Sequence, residues 1–101
     1  MDRRPDLQKL LTTILGSDNV YFQPPPTIRM KYPCIVYERT SGDTQFADNN
    51  PYTFRLRYKI NLICRQPEQE VLAKLAALPM CTYDRFYVAD GLNHDVFNLY
   101  F

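Results

Sequence analysis

Four residues near the carboxyl end carry the side chains that could support acid/base chemistry or hold a metal ion. The stretch TYDRFYVADGLNHDVFNLYF (82–101) places Asp84, Asp90 and Asp95 around His94, the one histidine of the chain. Such groups act together only if they converge on one point. The stretch has the two-residue period of β strands, in which adjacent residues project to opposite faces. We therefore expect His94 and Asp95 to diverge, and a nuclease-like site built from the three aspartates is the weaker alternative.

Three cysteines, Cys34, Cys64 and Cys81, are the other candidates for chemistry. They form no CxxC pair and have no second histidine beside them, so the spacing favours neither zinc binding nor a disulfide framework. A nucleophilic cysteine would need a positioned base, and only His94 could serve. The sequence predicts three reduced, buried thiols, no catalytic residues, no cofactor and no metal, and hence a protein that is not an enzyme.

The same carboxyl-terminal stretch predicts a β hairpin. Asp90 and Gly91 within DGLN (90–93) favour the positive φ angles of a tight turn. The period of two then assigns the flanking residues to two faces. The core-facing set is Phe86, Val88, Phe97, Leu99 and Phe101; the opposite set is Arg85, Tyr87, His94, Asn98 and Tyr100.

The clearest pattern is YTFRLRYKINLICR (52–65), in which apolar and polar residues alternate with Ile63 as the one exception. The alternation predicts a strand of about 45 Å, longer than strands usually are. It therefore predicts a hairpin with CIVYER (34–39) that projects from the domain. The polar stretch TSGDTQFADNNP (40–51) is predicted to be an extended loop or arm at its tip.

Two amphipathic helices complete the predicted fold, PDLQKLLTTIL (5–15) and PEQEVLAKLAAL (67–78), each with leucines on one stripe. Residues 20–22 could add a short edge strand. The predicted fold class is α+β, with an antiparallel sheet, a long projecting β-hairpin and two helices on one face, in the order α-β-β-α-β-β. The whole chain, 1–101, is expected to be one domain.

Charge and composition limit the possible partners. Twelve Lys and Arg against 11 Asp and Glu give a net charge of +1, so no global field attracts nucleic acid or an anionic membrane. No apolar run approaches the ~20 residues that span a bilayer, and the amino end, MDRRPDLQKL, does not resemble a signal peptide. The protein is expected to fold in cytoplasm and to have no membrane partner. Its 8 Tyr and 6 Phe favour β structure and protein contacts.

Four segments carry a family resemblance: YPCIVYER (32–39), ADNNPY (47–52), LAALP (75–79) and YDRFYVADGLNHDVFNLYF (83–101). In their order they resemble small tail-completion (tail terminator) proteins of long-tailed, siphovirus-type bacteriophages, over most of residues 20–101. The resemblance implies a virion structural protein without a catalytic motif. It would form a hexameric ring at the head-proximal end of the tail tube, end tube polymerisation and join the tail to the head connector.

The implied partners are other copies of the chain, the tail tube protein and the head-tail connector or stopper protein. DNA would pass through the lumen without sequence-specific binding. In such a ring Arg55, Arg57 and Lys59 could pair with acidic residues of the next subunit, such as Glu68, Glu70 or Asp84, or face the DNA. A solvated strand face is the third possibility. The candidate contact residues are Arg55, Arg57, Lys59, Phe46, Asp48, Tyr87, His94 and Tyr100.

Two other functions fit the sequence. One is another role in the phage neck, as a connector adaptor or stopper. The other is a nucleic-acid-binding module that combines the basic strand with Tyr52, Phe54 and Tyr58. The period of two argues against this module, because the aromatic residues and the cations lie on opposite faces of the strand.

Overall fold

The computed structural model describes the backbone of residues 3–47 and 50–101, and the side chains of 3–40 and 56–101. The chain is a small α+β domain with a five-stranded mixed sheet and two helices. The elements in chain order are α1 (Arg4–Leu15), β1 (Val20–Phe22), β2 (Cys34–Ala47), β3 (Asn50–Cys64), α2 (Gln69–Ala76), β4 (Cys81–Ala89) and β5 (Leu92–Tyr100).

The strands lie in the order β1-β2-β3-β5-β4. β1 pairs parallel with β2, and every other pair is antiparallel. The prediction of an antiparallel sheet was therefore wrong at one edge, and the element order contains one more strand. The connection between β1 and β2, residues 23–33, is long enough to return the chain to the end of the sheet at which β1 began, as parallel pairing requires.

The polar stretch 40–51 contributes to both long strands. The backbone of 40–47 continues β2, and β3 begins at Asn50, so the described part of this predicted loop or arm is strand and not loop. Pairing across the two strands, from Ser41 with Arg57 to Ala47 with Asn50, satisfies backbone groups that a loop would leave to water. Irregularities after Arg39 and Gln45 accommodate the turn-forming residues. Residues 48 and 49 lie outside the described part of the chain.

Both helices pack on one face of the sheet. Leu7 and Leu11, one helical turn apart, and Leu75 of α2 are fully buried against Ile60 and Phe97. Burial of each such side chain stabilises the fold by about 1.5–3 kcal/mol. The end of α1 follows the sequence prediction, since Gly16 has a φ of 81° and donates its N–H to the Thr12 carbonyl.

A polar contact attaches α1 to the sheet. The hydroxyl of buried Tyr37 donates to Gln8 Oε1, and Gln8 Nε2 donates to the Val20 carbonyl at 3.1 Å. The hydroxyl of Tyr37 is thus satisfied, which avoids the cost of a buried unpaired hydroxyl. The contact also fixes α1 against β1 and β2.

The predicted alternation of β3 is confirmed over its described side chains. Tyr58, Ile60 and Leu62 are buried beneath the helices, whereas Arg57 and Lys59 are partly exposed on the other face. The exception that the sequence showed, Ile63, is buried on that other face, where its cross-strand neighbours are Cys34 and His94.

The carboxyl-terminal hairpin also follows the prediction. Asp90 and Gly91 form its two-residue turn with φ angles of 54° and 72°. Phe86 lies opposite Asp95 and Tyr87 opposite His94, which agrees with the predicted division of residues between the two faces. The register shifts at Asp84, so this residue sits at an irregularity rather than in a regular core-facing position. Phe101 packs partly buried against the core.

Candidate interaction surface

The open face is the side of the sheet on which neither described helix packs. It is formed by alternate residues of β3, β4 and β5, and cross-strand register places Arg57 opposite Tyr100 and Tyr87 opposite His94. Lys59 lies between Glu38 of β2 and Asn98 of β5. The structure therefore brings five predicted contact residues to one surface: Arg57, Lys59, Tyr87, His94 and Tyr100.

The other three predicted contact residues cannot be assigned to this surface. Phe46 lies in β2 opposite Pro51, and Arg55 lies in β3 opposite Asp43, but their side chains fall outside the described set. Asp48 falls outside the described residues altogether.

An aromatic and amide cluster forms the centre of the open face. The rings of Tyr87 and His94 stack with centroids 4.5 Å apart and an angle of 10° between their planes. Asn61 Nδ2 lies 3.3 Å from His94 Nδ1 and 3.4 Å from the Tyr87 hydroxyl. Asn61 Oδ1 is buried without a hydrogen-bond partner among the described residues. The cluster is a polar platform in which the buried Asn61 Oδ1 receives no hydrogen bond from the described residues.

Acid/base catalysis is not favoured by this arrangement. Asp95 lies on the helix-covered face, where it accepts a hydrogen bond from Tyr83, while His94 lies on the open face beside Asn61. The predicted divergence of His94 and Asp95 is therefore confirmed. Among the described residues no group of three or more His, Cys, Asp and Glu side chains is placed to hold a metal ion.

Asn61 is the member of the cluster that sequence reasoning did not single out. The period of two placed it on the polar side of β3, beside Lys59. Its contacts with Tyr87 and His94 depend on β5 and β4 lying next to β3, which no local pattern shows.

Among the described residues, neither Arg57 nor Lys59 of the open face forms an ion pair, although Glu38 is the cross-strand neighbour of Lys59. Arg57 Nε is buried with no hydrogen-bond partner among the described residues. Two of the acidic residues proposed to pair with this row have local partners instead: Glu70 lies 3.5 Å from Lys74, and Asp84 lies 3.3 Å from Arg85. Exposed pairs of this kind contribute little. They do, however, leave these two acids less suited to an intersubunit contact with Arg57 or Lys59.

β4 forms an exposed edge of the sheet, and its apolar side chains are the second surface of interest. Tyr83, Phe86 and Val88 are 49%, 54% and 61% exposed. Phe86 and Val88 lie on the helix side of the sheet, as predicted, but neither belongs to the buried core. A cleft of about 190 Å³ adjoins Phe86 and is lined by Leu72 and Asp95 among others. That volume is below the range of small-molecule sites.

Tyr83 makes the shortest side-chain hydrogen bond on β4. Its hydroxyl donates to Asp95 Oδ1 at 2.7 Å, and its ring meets Phe97 edge-on with centroids 5.2 Å apart. The hydrogen bond to the carboxylate, with smaller contributions from burial and from the negative charge of Asp95, raises the pKa of Tyr83 to about 12.

The cysteines are free thiols. Burial, with a smaller effect of Cys64, raises the pKa of Cys34 to about 12; burial, with smaller effects of Glu68 and Asp95, raises the pKa of Cys64 to about 11. Burial also raises the pKa of Cys81, which is only partly covered. The prediction of buried thiols is confirmed for Cys34 and Cys64. A nucleophilic thiolate requires the opposite pKa shift.

Within the described residues, no helix has the length and apolar character needed to cross a membrane. No protein-family model, curated protein or solved structure matches the chain. The open face and the exposed β4 edge are therefore the features from which function must be inferred.

Proposed function

We propose that this protein is a virion structural protein of a long-tailed bacteriophage, a tail terminator that forms a hexameric ring at the head-proximal end of the tail tube. The ring ends tube polymerisation and joins the tail to the head connector. Segments 32–39, 47–52, 75–79 and 83–101 support the proposal through their resemblance to such proteins. The protein acts in the virion after assembly in the host cytoplasm, without a cofactor.

The exposed β4 edge is the observation that carries the proposal. A strand with unpaired backbone groups and exposed apolar side chains attracts further strands, and proteins that remain monomeric protect such edges with charge or cover. Asp84 and Arg85 place charge at one end of this edge, but Phe86 and Val88 remain 54% and 61% exposed. A subunit built to assemble would have such an edge, and a contact between two different surfaces closes into a ring when its rotation allows.

The β2–β3 hairpin gives the subunit a second means of contact. At about 3.3 Å per residue its 15-residue strand β3 spans roughly 50 Å. The molecule itself measures 50 × 26 × 23 Å. β5 pairs with residues 57–64 of β3, and the Phe101 N–H donates to the Leu56 carbonyl. Within the described backbone, residues 50–55 pair with β2 alone. We propose that this two-stranded part projects from the body and contacts the tube or the connector, because such a ribbon gains stability from a partner.

The open face is assigned to the lumen of the ring. Helices on the inner side of a six-membered ring would fill the channel, so the face without helices is the one that leaves it open. Arg57 and Lys59 would then lie beside the phosphates of passing DNA. Contacts to phosphates carry no sequence information. The net charge of +1 keeps the attraction weak enough for DNA to move.

A nucleic-acid-binding module is the second candidate, because the open face combines cations with aromatic rings. Tyr58 cannot stack on a base, since it is buried in the core. Tyr87 and Tyr100, however, share the face of Lys59, so the separation of aromatic residues and cations along β3 does not hold for the whole sheet. This candidate predicts tight, strongly salt-dependent binding by a monomer.

The test is the stoichiometry and location of the assembled subunit. Native mass spectrometry should show six copies, and electron microscopy of the phage neck should locate the subunit at the end of the tail tube. A twelve-membered ring at the connector would assign it to an adaptor role instead. A chain that stays monomeric at all concentrations and is absent from the neck would overturn the proposal, and the nucleic-acid candidate would then be tested by titration with a single-stranded oligonucleotide.

A further inference from the structure

We infer that the ring contact is an extension of the sheet, in which β4 of one copy pairs antiparallel with the outer edge of β2 of the next copy over residues 40–47. The inference rests on the proposed ring and specifies which surfaces of the chain form it. Its occupant is a second copy of the same chain, because the complementary edge is present in every subunit.

The first surface is the turn-proximal half of β4. In a two-residue hairpin the pair that flanks the turn, here Ala89 and Leu92, exchanges backbone hydrogen bonds, and such pairs alternate with pairs that do not. Phe86 and Val88 belong to the pairs that do not, so their N–H and C=O groups point away from β5. The irregularity at Asp84 interrupts the edge and confines the free segment to the residues that follow it.

The second surface is the distal part of β2. β1 covers only Ile35–Tyr37, and the side chain of Gln23 extends this cover by accepting the Arg39 N–H at 3.2 Å. Within the described backbone no strand lies outside β2 over residues 40–47. The free segment of β4 that follows Asp84, residues 85–89, is shorter than these eight residues, so it can pair within them. The two free edges are different surfaces of one chain, as a ring contact requires.

Strand direction determines the sense of the pairing. Each of the steps β2 to β3, β3 to β5 and β5 to β4 reverses direction, so β4 runs antiparallel to β2 within a subunit. If the ring axis runs broadly parallel to the strands, rotation from one copy to the next leaves the direction of each strand unchanged. The next copy therefore presents its β2 antiparallel to β4. Within a subunit, β4 lies beside the part of the sheet that contains residues 34–39 of β2, and not beside 40–47. Pairing with 40–47 of the next copy therefore requires strands that are inclined to the ring axis, as strands are in closed sheets.

A charge on the edge tests the contact. Val88→Lys places a cation on the free segment of β4, a device that natural edges use against pairing. Ile28→Lys is the matched control, because Ile28 is an exposed aliphatic residue outside the strands. We expect both variants to keep the wild-type circular dichroism spectrum. Val88→Lys should raise the concentration at which six-membered rings form at least about tenfold, a loss of about 1.4 kcal/mol per contact, and Ile28→Lys should leave it unchanged.

Cross-linking gives an independent test that does not depend on the folding of the lysine variant. In a Cys81→Ser background, Val88→Cys is combined in separate proteins with Ser41→Cys, Asp43→Cys or Gln45→Cys. We expect oxidation of at least one combination to produce a covalent ladder that ends at six chains.

The outcomes separate this inference from the proposed function. Rings that form normally with Val88→Lys and give no ladder with any cysteine pair would overturn the edge contact and leave the terminator proposal intact. Covalent dimers from Val88→Cys alone would indicate β4–β4 pairing and also overturn it. A wild-type chain that forms no ring at any concentration would overturn the proposed function itself.

Discussion

At the residue scale, the described polar side chains of the open face bond mainly to residues distant in sequence. Asn61 contacts Tyr87 and His94 on two other strands, and the Thr40 hydroxyl donates to the Arg57 carbonyl at 3.1 Å. Ile63 and Val96 are buried on the same face, although neither described helix packs there. The open face is therefore an ordered surface, and rigid side chains lose less entropy when a partner binds.

The Tyr83–Asp95 hydrogen bond predicts a specific pH dependence. Because the pKa of Tyr83 is raised to about 12 in the folded state, its contribution to stability is fully present below the unfolded pKa of about 10. That contribution is lost as pH rises from about 10 through about 12. Tyr83→Phe keeps the ring contact with Phe97 and removes the hydroxyl. We expect it to lower the free energy of unfolding at neutral pH by less than about 1 kcal/mol, since Tyr83 is half exposed.

Urea unfolding at a series of pH values measures this effect. The difference in unfolding free energy between wild type and Tyr83→Phe should shrink above pH 10. Asp95→Asn is the control, because it removes the charged acceptor. In this variant the free energy of unfolding should depend less on pH between about 10 and 12. If the difference in unfolding free energy between wild type and Tyr83→Phe stays constant up to pH 12, the hydrogen bond to Asp95 does not raise the pKa of Tyr83.

At the element scale, the β4–β5 hairpin depends on its two-residue turn. Both turn residues have positive φ, which glycine adopts freely and asparagine or aspartate tolerates. A Cβ added at Gly91 would meet no atom within 4 Å. Substitution there therefore changes backbone conformational energy without a steric clash, and the turn can be tested separately from packing.

Gly91→Ala should destabilise the domain by roughly 1–2 kcal/mol, the cost of the left-handed conformation for an alanine. Gly91→Asn is the matched variant and should cost less, because asparagine enters this region more readily. Chemical denaturation of both proteins measures the difference. Equal stability of the alanine and asparagine variants would contradict the role given to the turn.

At the scale of the whole molecule, charge and shape divide the domain into two sides. The helices and the main apolar core lie on one side of the sheet, and Arg57, Lys59 and the aromatic and amide cluster lie on the other. Under the proposed function, this division leaves the open face to the lumen and the sheet edges to the neighbouring copies. Loss of a cation from the open face should therefore affect DNA and leave the ring unaffected.

Lys59→Gln should weaken binding of a short DNA duplex to the assembled ring, uniformly across sequences, and lower the salt dependence of that binding. Lys74→Gln is the matched control, because it removes the same charge from α2, on the other side of the sheet. Fluorescence anisotropy at several salt concentrations measures the affinity, and native mass spectrometry checks the ring. If Lys59→Gln loses the ring and Lys74→Gln keeps it, Lys59 belongs to the subunit interface and not to the lumen.

The sequence by itself determined the features that depend on neighbours along the chain. The leucine spacing in α1, the alternation in β3 and the Asp90–Gly91 turn each have a local physical cause, and each is present in the structure. The divergence of His94 and Asp95 follows from strand geometry alone. These are properties of a helix period, a strand period and a turn, and they do not depend on which elements later meet.

Only the tertiary structure decided which strands lie side by side. The order that leaves β4 at an edge, the parallel pairing of β1 and the continuation of β2 through 40–47 all depend on backbone hydrogen bonds between distant segments. Turn-forming residues at 40–47 predicted a loop because composition does not show that a partner strand will supply their hydrogen bonds. The contacts of Asn61 and the exposure of Phe86 and Val88 follow from the same strand order, since identical side chains on a central strand would be covered.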